Sequence, residues 1–157
     1  MKAASLKEVK TELSHKSPQE LMDLCLRLSR FKKENKELLT YLLFEYSDEE
    51  GYIESIKAAM DLEFEAINTD SYFYIRKSIR KILRLIKKYI RYSQNKETEV
   101  ELLIYFCNRL HSFSPSIKNS KALVNLYQRN IDFIKKKVAL LHEDLQYDFQ
   151  LEIEKLE

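Results

Sequence analysis

Glycine occurs once in the 157 residues, proline twice and tryptophan not at all. Phosphate-cradling loops, dinucleotide-binding turns and nucleophile elbows need glycine where the backbone turns tightly or comes close to a ligand. A chain with Gly51 alone is therefore a poor candidate for those enzyme classes. Two-residue β-hairpins also draw on glycine, so the expected secondary structure is almost entirely helix. No apolar run reaches the roughly 18 residues of a membrane span. The opening MKAASLKEVKTELSHK lacks the continuous apolar centre of a secretory signal. The expectation is a cytoplasmic protein with no membrane role.

Metal and redox chemistry are sparsely equipped. His15, His111 and His142 lie far apart, and only His111 has a soft partner within one turn, Cys107. Zinc needs three or four such ligands, usually at paired spacings. Di-iron bundles need Glu-x-x-His on each of two helices, a pair the chain does not carry. Cys25 and Cys107 are widely separated and read as reduced thiols of a cytosol. Cys25 stands among Leu21, Leu24 and Leu28 on the apolar side of its helix, so a buried, inert thiol is expected there, as at Cys107. The many acids show no isolated carboxylate of the kind acid–base catalysis requires. The sequence predicts no catalytic residue, no metal and no cofactor.

What the chain does have is apolar periodicity: 45% of residues are hydrophobic and 33% charged. This length is expected to form a single domain over 1–157 that buries roughly 70% of its unfolded surface. A first helix is read over about 5–15. Ser17, Pro18 and Glu20 form a capping box with proline at the first helical position, starting a second helix that ends near Phe31. Asn35 is expected to cap a third helix. Its run ELLTYLLFEY is apolar nearly all round, so it is expected to be the most buried helix. Ser47 should cap helix four, with Ile53, Ile56, Met60, Phe64 and Ile67 as its core stripe. Asp70 should cap helix five over 71–93, and Thr98 with Glu101 should box the start of helix six. From Leu123 to Leu156 every apolar step is three or four residues, with a break expected near His142.

The fold class that follows is all-α. Six to eight helices form successive antiparallel hairpins, arranged as a short α-superhelical, HEAT-like array or as an irregular bundle. CLRLSRF at 25–31 and CNRLHSF at 107–113 share four residues in register, a weak sign that 17–47 and 98–134 are duplicated.

The strongest local signal is RKSIRKILRLIKKYIR, with eight cations and no acid over 76–91, in a chain whose net charge is only +2. Wound at 100° per residue, the isoleucines fall within an arc of roughly 100° and the eight cations within an adjacent arc of roughly 140°. Tyr74, Leu85 and Tyr92 form a third strip. The candidate partner surface is Arg76, Arg80, Arg84, Lys87, Lys88 and Arg91 with Tyr74 and Tyr92. Against it stands helix four, rich in acids and joined by a short turn. Antiparallel packing there is expected to set those acids beside the cations and cancel most of the field. A non-catalytic interaction or scaffold domain docking through this face is the functional expectation, with nucleic-acid binding through the same face as the alternative. Self-association is a further possibility, because Leu145, Phe149, Ile153 and Leu156 either pack within the chain or across a dimer.

Overall fold

The computed structural model describes all 157 residues. It contains eight α-helices and no strand, in two compact units, Met1–Phe44 and Glu45–Glu157. The all-helical expectation holds.

The first unit carries α1 (Leu6–Ser14), α2 (Pro18–Phe31) and α3 (Lys33–Thr40), with a π-helical turn at Tyr41–Glu45 continuing from α3. Reciprocal capping boxes start the first two. The hydroxyl of Ser5 accepts from the Glu8 N–H while the Glu8 carboxylate accepts from the Ser5 N–H, and Ser17 with Glu20 repeats the arrangement. The serine hydroxyl and backbone N–H hold the Glu8 carboxyl below its ordinary range, and the Ser17 groups do the same to Glu20. α2 and α3 form a hairpin. Asn35 does not cap α3: its side-chain amide donates to the Leu28 carbonyl, 2.8 Å away, tying the hairpin together.

Two expectations fail in this unit. The run ELLTYLLFEY is not the most buried segment, since Tyr41 is its one buried side chain while Leu42, Leu43 and Phe44 are exposed. A unit of this size has too little chain to surround a helix that is apolar on every side. Cys25 is likewise exposed, not buried.

The second unit holds α4 (Glu49–Glu65), α5 (Tyr72–Ser93), α6 (Lys96–His111), α7 (Lys121–Val138) and α8 (Glu143–Glu154). Successive helices are antiparallel. The Tyr52 hydroxyl donates to the Tyr89 carbonyl, joining the start of α4 to the end of α5. Tyr105 donates to Asp61, 2.7 Å away, so α6 runs parallel to α4. Lys137 pairs with Glu99 at 2.9 Å, and Tyr127 donates to the Leu156 carbonyl at 2.7 Å, which orients α7 and α8.

α6 is the hub. Val100, Leu102, Leu103, Ile104, Phe106, Cys107 and Leu110 are all buried, over an arc of roughly 200°. Lys57 of α4, Tyr105 of α6 and Phe149 of α8 border one groove. Wound at 100° per residue, Glu99, which meets α7, lies roughly opposite Glu101 and Tyr105, which meet α4 and the groove. Thus α4, α6 and α8 run parallel in one layer, with α5 and α7 returning behind them. This is an array of hairpins.

Helix starts differ from expectation by a few residues. Asp48, not Ser47, caps α4, accepting from the Gly51 N–H at 3.0 Å. Ser71, not Asp70, precedes α5 and makes no side-chain cap bond. Asn95 caps α6 through the Glu97 and Thr98 N–H groups. Thr98 is instead buried inside the helix, where its hydroxyl donates to Glu49. The break near His142 is present, and His142 itself caps α8. Ile153 and Leu156 are buried within the unit, so this end of the C-terminal stripe packs inside the chain, while Leu145 and Phe149 are half-buried along a groove.

Candidate functional site

The α4 stripe Ile53, Ile56, Met60 and Phe64 is buried against Ile75, Ile79, Ile82, Ile86 and Ile90 of α5 and the core of α6. That fixes the rotation of both helices, and with it where their charges point. On α4, winding at 100° per residue places Glu63 on the edge toward α5, and Glu50, Glu54, Lys57 and Asp61 on the edge toward α6. The contacts agree. Lys57 bridges Glu54 at 2.9 Å and Glu101 of α6 at 2.7 Å. Asp61 accepts from Tyr105 and stands 3.0 Å from Arg109 Nε. Burial, then the Asp61 bond, push the Tyr105 phenol above its ordinary range.

Glu63 of α4 pairs with Lys81 of α5 at 3.0 Å. Lys81 lies at the α4-side edge of the cationic arc, which is why it can reach. The expected cancellation by α4 is therefore corrected: the two helices are neighbours, but most α4 acids turn away. Arg76, Lys77, Arg80, Arg84, Lys87 and Arg91 make no ion pair or hydrogen bond. Lys88 is half-buried, with its ammonium 5.1 Å from the centre of the Tyr89 ring. From Arg76 to Arg91 the strip runs about 22 Å along the helix.

Tyr74 is half-exposed and stacks edge-on against Phe73, centroids 5.5 Å apart. Tyr92 is half-buried and meets Tyr89 in the same way at 6.0 Å. Of the proposed aromatics, Tyr74 is thus at the surface near the start of the strip, and Tyr92 is partly withdrawn. Two residues of the surface were missed. Phe73 is 63% exposed and, by the same winding, sits at the centre of the cationic arc. Leu83 lies at its other edge. Together with Arg76, Arg80, Arg84 and Lys87 they border an open hollow of about 550 Å³. The helical angle of Phe73 was the available signal.

The opposite layer is negative. Glu49, Glu50, Glu54, Glu97 and Glu101 gather around one hollow at the starts of α4 and α6. No group of three or more metal-capable side chains comes together; Glu12 and His15 form a lone Glu-x-x-His on α1. Burial pushes the Cys107 thiol up to about 12. No helix is long and apolar enough to cross a membrane.

No protein-family model, curated protein or solved structure matches the chain.

Proposed function

We propose that this chain is a non-catalytic interaction module of the cytoplasm that docks an acidic segment of a partner protein on the cationic strip of α5. The observation that carries the reading is the set of six unpaired cations interleaved with the apolar Phe73 and Leu83. An acidic amphipathic helix or extended segment would satisfy both, its carboxylates on the arginines and an apolar anchor between them. Arginine and aromatic groups are the side chains that dominate such interfaces. The low net charge of +2 and the acidic opposite layer favour a short acidic segment over a long polyanion. Burial drives the Cys107 thiol away from the thiolate that a nucleophile needs, which supports a non-catalytic role. Cys25 and Cys107 are both free, as suits a reducing compartment.

Single-stranded nucleic acid is the second reading, favoured by the exposed Phe73–Tyr74 pair beside the cations, since bases stack on such rings. Fluorescence anisotropy with a short labelled glutamate–leucine peptide and labelled oligothymidylate separates the two. The docking reading expects the peptide to bind, and Arg76→Glu/Arg80→Glu/Arg84→Glu to abolish binding with an unchanged helical circular dichroism spectrum. Binding of oligothymidylate alone, falling steeply with salt, would transfer the surface to nucleic acid. Binding of neither would remove it.

A further inference from the structure

The first unit carries an apolar seam that its own three helices leave partly open. Leu21, Leu24, Leu28 and Phe31 of α2 follow the three–four spacing of a coiled-coil seam. Their exposures are 36%, 40%, 60% and 77%. A similar three–four spacing in α4, at Ile53, Ile56, Met60 and Phe64, gives 8%, 5%, 1% and 4%. Similar patterning thus leads to a covered face in one helix and a largely open one in the other.

Charge on α2 says which occupant fits. Its first half holds Glu20 and Asp23, its second half Arg27 and Arg30. A parallel copy of α2 would set acid beside acid and arginine beside arginine. An antiparallel copy sets each half beside its opposite, and also opposes the two helix dipoles favourably. We propose that α2 is a self-association surface whose occupant is α2 of a second copy of this chain, laid antiparallel. A 14-residue helix is about 21 Å long and cannot alone supply the roughly 800 Å² per partner of a stable interface. The exposed Leu6 and Val9 of α1 and Leu42 beyond α3 widen the contact. The resulting dimer is isologous, so it closes and does not propagate. This inference stands apart from the reading of α5, because it uses no residue of that strip.

Light scattering on the full chain after gel filtration tests it. The expected mass is twice 18.8 kDa, falling to 18.8 kDa in Leu24→Glu/Leu28→Glu with helical circular dichroism retained. Orientation is read from charge. Glu20→Lys alone and Arg27→Glu alone, the two charges that flank the seam, should each weaken dimerisation several-fold, and the two together should restore it. In a parallel pair neither single change converts an attraction into a repulsion, so single variants without effect overturn the antiparallel arrangement. A wild-type chain that is monomeric at all concentrations, or a dimer indifferent to Leu24→Glu/Leu28→Glu, overturns the proposal itself.

Discussion

Reversing one charge in the middle of α5 should make the protein more stable. Arg80 has Arg76 and Arg84 four residues to either side and Lys77 three residues before it, and the helix contains no acid. Like charges at these spacings destabilise a helix by about 0.2–0.5 kcal/mol per pair, and opposite charges stabilise it by a similar amount. Arg80→Glu converts three repulsions into attractions. Because the side chains are exposed and their interactions screened, the net gain is set near the low end, about 1 kcal/mol. Arg80 has no ion pair to lose, and arginine and glutamate have similar helix propensities. In urea unfolding with an m of about 2 kcal/mol/M, the midpoint should rise by about 0.5 M. Salt near 1 M, where the Debye length is about 3 Å, should erase most of the difference. Lys81→Glu is the control: Lys81 holds Glu63, so the change sets two carboxylates together and the gain should vanish. A lower midpoint for Arg80→Glu would mean that Arg80 is already neutralised in the folded protein, and the picture of an open, self-repelling strip would fail. A rise in stability coupled to loss of binding to the short acidic peptide is the pattern expected where a surface is kept strained for binding.

Thiol reactivity should split cleanly, with Cys25 labelled by maleimide in the native protein and Cys107 labelled only on unfolding, because one is exposed and the other buried; mass spectrometry of the labelled peptides reads the outcome. Alkaline pH should destabilise the second unit. Burial raises the Cys107 thiol from 9.0, and the Tyr127 phenol from 10.0, to about 12. Each group therefore holds its proton more firmly folded than unfolded. The stability they contribute is whole below about pH 9 and is lost as pH rises toward 12, at up to about 1.4 kcal/mol per pH unit for each group in that window. A urea midpoint that stays flat from pH 9 to 11 would contradict this.

The helices were legible because their signals are local. The Ser17–Pro18–Glu20 cap, the α4 and α5 stripes and the break before His142 depend on residues within a turn or two of each other, and each is where the sequence places it. Coverage was not legible. ELLTYLLFEY and VELLIYFCNRL are comparably rich in apolar residues, yet the first is largely open and the second is the hub of its unit. The difference is how many other helices surround each, a property of the whole assembly and absent from either segment. Charge pairing failed for a related reason. That α4 lies beside α5 followed from the short connection, but which edge of α4 its acids occupy follows only from the rotation its core stripe imposes. Winding Ile53, Ile56, Met60 and Phe64 inward turns Glu54 and Asp61 toward α6, and that calculation was open to a sequence reader. Phe73 could have been found in the same way.

The low net charge conceals how the charges are sorted. In the layer of α4, α6 and α8, α4 carries six acids against Lys57 and α8 carries five acids and no base, while behind it α5 carries eight cations and no acid and α7 five cations against Asp132. Neutralising helix by helix would have been the more stable solution, since it removes the repulsions within α5 and α8. The chain instead separates sign by layer, and cross-layer pairs such as Glu63–Lys81 and Glu99–Lys137 relieve only the seams. A surface of this kind orients what approaches it: an acidic segment attracted to α5 is repelled by the opposite layer, so it has one productive way to dock. Complementary potentials of this sort set partner choice and association rate more than affinity. The binding strength would then come from the apolar side chains within the strip, Phe73 foremost, because each arginine there gains only a modest exposed pair.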